Sequence, residues 1–171
     1  GFQGRALQAG DCLPLGAPHP LSGQPGCRSP DWTPLLRALP GPDYASFSPS
    51  AQAAFWQRQW TVTPQSNRMG MRLRGTPLLR RQPIELLSHA VLPGVVQVPP
   101  DGQPIVLMAD AQTTGGYPCI ASVIQADQWK LAQARPGARL RFVPCTTSEA
   151  RQALRQQVQA GLRLQRMLAQ G

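Results

Sequence analysis

The chain has 171 residues and carries 17 basic against 8 acidic side chains, which gives a formal net charge of +9 at pH 7. Hydrophobic residues make up 42% of the chain and charged residues 15%, so the composition predicts a globular domain and excludes an intrinsically disordered or collagen-like one. No apolar run approaches the length of a membrane span and no signal peptide is recognisable, so we expect a cytoplasmic chain with no membrane role.

The first third of the chain predicts few regular elements. Proline and glycine recur through residues 14–42, which prevents a helix and favours a long connection with one short strand at residues 35–39. Ser48 has the character of a helix N-cap and Pro49 that of a first helical residue. A short helix is therefore predicted to begin there and to run to about Arg58.

The central part of the chain is predicted to be mostly β. Short segments rich in β-branched residues alternate there with proline and glycine punctuation. The predicted strands are residues 60–63, 95–98, 105–108, 120–124 and 140–143. Strands of this length and spacing indicate an antiparallel barrel or sandwich. One short helix, capped by Asp127 and ended by Pro136 and Gly137, is predicted between the last two strands.

The C-terminal segment predicts a helix of roughly 20 residues. Thr146 and Glu149 have the spacing of a capping box, and apolar residues recur every four positions after them, with arginine and glutamine on much of the remaining surface. Gly161 weakens this helix by up to about 1 kcal/mol relative to alanine. The apolar stripe is expected to pack on the barrel or on a partner subunit.

Neither the cysteines nor the charge indicates a specific ligand class. The four cysteines are spaced too unevenly for a zinc site and the two histidines stand apart, so we predict no metal site and thiols that are free and mostly buried. The arginines are dispersed and no nucleic-acid-binding motif accompanies them. The charge therefore indicates a solvated basic surface, or one that faces an acidic partner, and no nucleic-acid partner.

Two stretches concentrate polar groups on the predicted β framework. In residues 63–73, Asn67 and Gly70 suit a turn that presents Arg68, whose planar guanidinium matches a carboxylate or phosphate. A solvated turn arginine is the alternative.

In residues 94–118, two strands are joined by a connection that contains Asp101, and the second strand ends at Asp110. A plain turn at Asp101 and a packing role for the polar groups after Asp110 remain open beside a substrate site.

Several motifs in these stretches resemble the biotin-dependent carboxyltransferase-like family, which includes allophanate hydrolase subunit 2, KipA and the C subunit of 5-oxoprolinase. The motifs are Ser66-Asn67-Arg68-Met69-Gly70, Pro93-Gly94, Gln97-Val98-Pro99, Asp101-Gly102-Gln103-Pro104-Ile105 and Asp110 with Gln112-Thr113-Thr114-Gly115-Gly116-Tyr117-Pro118. The resemblance extends over nearly the whole chain to about Pro144. It implies a mainly β, cyclophilin-like barrel with short helices, here at residues 1–145, and one C-terminal helix at residues 146–171.

The resemblance also implies a function within a complex. Members of the family work beside a KipI-like, allophanate hydrolase subunit 1-type protein and, with a third subunit, form an ATP-dependent 5-oxoprolinase that opens 5-oxoproline to glutamate. Two alternatives are a non-enzymatic KipA-type regulator that binds a KipI-like partner and a urea-carboxylase-type carboxyltransferase domain, which would use biotin. No cofactor site is predicted in this chain itself, and ATP would serve the assembled complex.

The site residues that the resemblance implies come from both stretches and face a small polar carboxylate or amide substrate. The catalytic candidates are Asp101, Asp110 and Tyr117. The substrate-binding candidates are Asn67, Arg68, Arg72, Gln97, Gln103, Gln112, Thr113, Thr114, Gly115 and Gly116. We expect Arg68 to hold a carboxylate and Asp101 or Asp110 to act as the acid-base or orienting group.

Three positions depart from the family pattern. His89 stands where a glutamate is typical, Cys119 replaces a basic residue, and Arg74 replaces an acidic one. Loss of the glutamate could remove a carboxylate from the pocket. Family domains are about twice as long as this chain, so the resemblance implies that it is the C-terminal half of the domain and inactive by itself.

Overall fold

The computed structural model describes residues 2–17, 30–82 and 86–169. Seven strands of this part of the chain form a barrel: β1 (Leu35–Pro40), β2 (Trp60–Val62), β3 (Gly70–Arg74), β5 (Val95–Gln97), β6 (Ile105–Leu107), β8 (Cys119–Val123) and β9 (Arg139–Pro144). The barrel closes in the order β1-β8-β5-β6-β3-β2-β9. The predicted mainly β barrel is confirmed. A short ribbon, β4 (His89–Ala90) with β7 (Thr114–Gly115), pairs outside it.

Pairing within the barrel is antiparallel except where β1 lies parallel to β9. The expectation of an antiparallel barrel is therefore wrong for this one pair, which joins strands from opposite ends of the chain. Neither the ribbon of β4 and β7 nor strand β3 is among the strands predicted from the sequence.

Alternating side chains of the strands fill the barrel. In β9, Leu140 and Phe142 are fully buried while Arg139 and Arg141 are exposed, as the two-residue period of a strand requires. The buried strand residues of the main core include Leu36, Val62, Leu73, Val96, Val106, Ile120, Leu140 and Phe142. A second, smaller cluster (Val91, Leu107 and Cys119) lies beside this core.

Helix α1 (Pro49–Gln57) adds aromatic side chains to the main core. Its N-cap is Ser48, whose side chain accepts a hydrogen bond from the backbone N–H of Ala51, and Pro49 is its first residue, as predicted. Phe55 of α1 stacks on Phe142 of β9 with ring centroids 4.5 Å apart. The helix is thereby anchored to the barrel.

Helix α2 (Gln128–Gln133) begins differently from the prediction. Asp127 makes no capping hydrogen bond with its side chain. It is 1% exposed, and its carboxylate accepts hydrogen bonds from Arg37 and forms an ion pair with Lys130. Its oxygens are occupied by the backbone N–H and the guanidinium of Arg37 and by Lys130, so the carboxylate is not available to the helix end.

Helix α3 (Thr147–Ala169) begins at the predicted capping box. The backbone N–H of Thr146 donates to Glu149 Oε2 at 2.6 Å, and the backbone N–H of Glu149 donates to Thr146 Oγ1 at 3.2 Å. Ala150 and Ala153 pack with Ile124, whereas Val158 and Leu162 further along are about half exposed. The predicted packing on the barrel therefore holds only for the first turns.

None of the described helices combines the length and apolarity that a bilayer span requires.

Candidate functional site

The predicted site residues fall into three places rather than one pocket. The register of β3 and β6 separates two of them, because Gly70 pairs with Leu107 at one end and Arg72 pairs with Ile105 at the other. Asn67, Arg68 and Asp110 lie beyond the first end, and Asp101 and Gln103 beyond the second. The third place is the segment from Gly115 to Tyr117, which runs past Gln97.

At the first place, two loops meet through an ion pair. Arg68 Nε lies 2.8 Å from Asp110 Oδ2, and the backbone N–H of Asp110 donates to the carbonyl of Arg68 at 3.1 Å. Asn67 fixes this loop, since its Oδ1 accepts hydrogen bonds from the backbone N–H groups of Met69 and Gly70. The turn predicted around Arg68 is thereby confirmed, and Asn67 has a structural role.

We call this ion pair, together with the exposed polar residues that follow Asp110 along the chain, the polar edge. Its members are Arg68, Asp110, Gln112, Thr113 and Thr114. The Arg68 side chain is 86% exposed and that of Asp110 is 47% exposed. Its members supply a guanidinium, a carboxylate, an amide and two hydroxyls, which are the groups that recognise a small molecule with its own carboxylate and amide.

At the second place, Asp101 and Gln103 hold a turn. Asp101 Oδ1 accepts from the backbone N–H of Gln103 at 3.0 Å, and the Gln103 side chain bonds both backbone groups of Gly75. Together with Arg72 and Arg74 they line a groove of about 150 Å³. The plain-turn interpretation of Asp101 therefore fits its contacts.

At the third place, a glycine passes directly over a buried amide. Gln97 is 2% exposed, and its Nε2 donates to the carbonyl of Tyr117 at 3.4 Å. A Cβ atom at Gly115 would lie 2.5 Å from that Nε2, so any larger residue there would require the Gln97 side chain to shift. Gly116 and Tyr117 line a cavity of about 860 Å³ whose other walls are largely apolar and include Leu78, Leu86 and Val98.

Two of the departures from the family pattern meet in space. His89 Nε2 lies 3.4 Å from Cys119 Sγ, although 29 residues separate them along the chain. Asp43, which the sequence analysis did not single out, accepts a hydrogen bond from the backbone N–H of Cys119 at 2.8 Å. The expectation that His89 stands apart is therefore wrong, because β4 and β8 bring it to a buried thiol.

The cysteines differ in their surroundings. Cys119 is buried and Cys145 half-buried, whereas Cys12 is exposed, contrary to the expectation of mostly buried thiols; Cys27 and His19 lie outside the described residues. Burial raises the pKa of the Cys119 thiol, the Asp43 carboxylate raises it further, and a hydrogen bond from Gln97 opposes them. At neutral pH this thiol is protonated.

Similarity to known proteins identifies the family. The family model "Carboxyltransferase domain, subdomain A and B" matches residues 1–144. The C subunit of 5-oxoprolinase from Escherichia coli (strain K12) is 51% identical over 158 residues, which cover 92% of this chain and 51% of that protein. Its counterpart in Haemophilus influenzae is 48% identical over 150 residues, covering 88% of this chain and 48% of that protein.

A solved structure agrees with this assignment. The urea carboxylase of Kluyveromyces lactis superposes with a TM-score of 0.66 and 27% identity, over 69% of this chain and 11% of that protein. The chain spans about half the length of the two bacterial relatives. The resemblance expected from the motifs is confirmed: the chain belongs to the family of the carboxyltransferase domain, subdomains A and B.

Proposed function

We propose that this chain is part of the C subunit of a 5-oxoprolinase, which acts in an ATP-dependent complex that opens 5-oxoproline to glutamate. The observation that carries the proposal is the 51% identity to the Escherichia coli C subunit over 92% of the chain. The partners would be a KipI-like subunit and a third subunit.

The polar edge offers groups for this substrate. 5-Oxoproline carries one carboxylate and a lactam, and ring opening adds water across the lactam C–N bond to give a second carboxylate and an amine. Arg68 would hold the substrate carboxylate through its guanidinium fork. Asp110, 2.8 Å from Arg68, is preferred over Asp101 as the orienting or proton-accepting group because Asp101 is committed to a turn.

The exposure of the polar edge supports action within a complex. The Arg68 side chain is 86% exposed, so the polar edge does not exclude bulk water. Active sites that handle reactive intermediates usually exclude bulk water. A second surface, from the remaining half of the protein or from another subunit, would cover the polar edge when substrate is bound. ATP would be consumed by the assembled complex and not on this chain.

The test is ATP hydrolysis by the full-length protein purified with its two partner subunits. We expect ADP release that depends on 5-oxoproline and does not respond to urea or to a biotinylated carrier. Release that depends on urea, bicarbonate and a biotinylated carrier would instead support the carboxyltransferase alternative, which the similarity to the Kluyveromyces lactis enzyme favours. Tight association with a KipI-like protein and no turnover on either substrate would support the regulator and reject the proposal.

A further inference from the structure

Three side chains of metal-ligating type converge beside the barrel. Asp43 lies between β1 and α1, His89 begins β4, and Cys119 begins β8. One ligand atom from each, a carboxylate oxygen, an imidazole nitrogen and the thiol sulfur, lies within 4.8 Å of the other two. No other such group of three occurs in residues 2–17, 30–82 and 86–169.

From this convergence we propose that Asp43, His89 and Cys119 form a binding site for a single Zn²⁺ ion. The site does not depend on the proposed 5-oxoprolinase activity. Zn²⁺ is held at about 2.0–2.3 Å by nitrogen, oxygen and sulfur ligands, so two atoms bound to one tetrahedral ion lie about 3.3–3.5 Å apart. The 3.4 Å between His89 Nε2 and Cys119 Sγ matches this separation, and the carboxylate oxygen, which lies within 4.8 Å of both atoms, needs a shift of at most about 1.5 Å.

The imidazole is oriented as a metal ligand requires. His89 Nδ1 lies 3.4 Å from the carbonyl oxygen of Leu87, which can only accept a hydrogen bond. The proton is therefore assigned to Nδ1, and Nε2 keeps its lone pair toward the Cys119 sulfur. A ring N–H that donates to a backbone carbonyl is the usual support of a histidine that binds zinc through its other nitrogen.

The carboxylate is held in place by the backbone of Cys119. Asp43 Oδ2 accepts from the N–H of Cys119 at 2.8 Å, and the N–H of Asp43 donates to the carbonyl of Cys119 at 3.2 Å. A carboxylate has about four acceptor positions, so one bond to the backbone leaves capacity for an ion. The fixed loop therefore presents Asp43 without the entropy loss of ordering a free side chain.

Charge and ligand type favour Zn²⁺ over the hard cations. A thiolate and an imidazole bind borderline and soft ions, whereas Mg²⁺ and Ca²⁺ prefer oxygen ligands alone. Zn²⁺ with one thiolate and one carboxylate is electrically neutral, which lowers the cost of burying the charges. Binding breaks the Cys119 S–H bond, forms the sulfur–zinc bond and releases the proton to solvent, with no change in oxidation state. Three protein ligands leave one position for water.

The experiment uses Co²⁺ as a spectroscopic substitute for zinc in the full-length protein. Thiolate ligation gives a near-ultraviolet charge-transfer band, which we expect to saturate at one equivalent of Co²⁺ and to disappear when one equivalent of Zn²⁺ is added. The matched control is Cys145→Ser, which removes another partly buried thiol outside the cluster and should keep the band. Cys119→Ser should abolish it.

Two further measurements keep the test decisive if Cys119→Ser does not fold. His89→Ala, in a half-exposed position, should weaken Co²⁺ binding at least about tenfold, and Asp43→Asn should weaken it as well. Added Zn²⁺ should raise the melting temperature of the wild-type protein and not that of His89→Ala. A wild-type protein without the band, or a band that survives in His89→Ala with unchanged affinity, would overturn the proposal.

Discussion

Gly41 occupies a position that leaves no room for a side chain. Its N–H donates to the carbonyl of Ile120 at 2.8 Å, and a Cβ atom there would overlap the backbone carbonyl of Cys119 and lie 2.9 Å from the nitrogen of Ala121. These are strand atoms of the barrel, which cannot move as the end of a flexible side chain can. This close contact between Gly41 and β8 also places the loop that carries Asp43 against Cys119.

We predict that Gly41→Ala lowers the free energy of unfolding by about 2–4 kcal/mol, because β1 and β8 must separate to admit the methyl group. Urea denaturation measures it. Gly161→Ala is the control, since nothing lies within 4 Å of its Cβ position on α3, and it should raise stability by up to about 1 kcal/mol through helix propensity. Equal stability of Gly41→Ala and wild type would refute the close packing.

Arg68 tests the proposed role of the polar edge. Arg68→Lys keeps the positive charge but removes the planar fork that would bind a carboxylate through two hydrogen bonds. In the assembled complex we expect KM for 5-oxoproline to rise about tenfold, with little change in melting temperature because the side chain is 86% exposed. Arg139→Lys, on the exposed face of β9, is the matched control. If both variants have the wild-type KM, Arg68 does not bind the substrate.

At the scale of elements, a buried carboxylate ties β1 to α2. Asp127 accepts hydrogen bonds from the backbone N–H and the guanidinium of Arg37 in β1, and it pairs with Lys130 of α2 at 3.2 Å. Burial by itself would raise the pKa of Asp127, but the hydrogen bonds from Arg37 and Lys130 outweigh it and hold this pKa below its usual range.

We predict that Asp127→Asn destabilises the fold by about 2–4 kcal/mol at neutral pH, because it leaves Lys130 and the Arg37 backbone with a weaker partner. The folded-state pKa is the lower one, so the stabilisation is present above the unfolded value of about 4 and is lost as the pH falls through the folded value. Urea melts from pH 7 to pH 2 should therefore show a smaller loss of stability for Asp127→Asn. Glu149 and Asp11, whose pKa values are also lowered, leave both proteins some acid sensitivity. If the free energy of unfolding fell with pH by the same amount in both proteins, the stabilising role of the ionised Asp127 would be contradicted.

Local signals explain which elements the sequence predicts correctly. Ser48 with Pro49, and Thr146 with Glu149, mark helix starts by side-chain chemistry within four residues, and both are confirmed. The buried strands are recognised by runs of β-branched residues. Strand β3 is missed because its two apolar residues, Met71 and Leu73, stand among arginines in a stretch that resembles a turn.

Contacts between distant segments explain the failures. The parallel pairing of β1 with β9 and the meeting of Asp43, His89 and Cys119 depend on how the barrel closes, and no spacing rule along the chain contains them. The predicted capping role of Asp127 is wrong for a related reason. Its carboxylate bonds Arg37 of β1, which lies 90 residues away along the chain, and the local sequence around Asp127 does not indicate this contact. The motifs indicate a set of candidate polar residues, but they do not contain the register of β3 and β6, which separates these residues in the fold.

At the scale of the whole molecule, the candidate site lies on an open part of the described surface. The polar edge is open to solvent, and the chain corresponds to about half of the Escherichia coli and Haemophilus influenzae proteins. The net charge of +9 and the half-exposed apolar residues of α3 provide surface that could meet the rest of the protein or another subunit. We therefore propose that the activity requires the assembled complex.

The most direct measurement is the formation of glutamate from 5-oxoproline and ATP by the assembled complex, with and without the protein that contains this chain. We predict that glutamate and ADP appear together only when all subunits are present, and that omitting this protein abolishes ring opening. A complete complex that forms no glutamate, or one that forms it equally well without this protein, would contradict the proposed function.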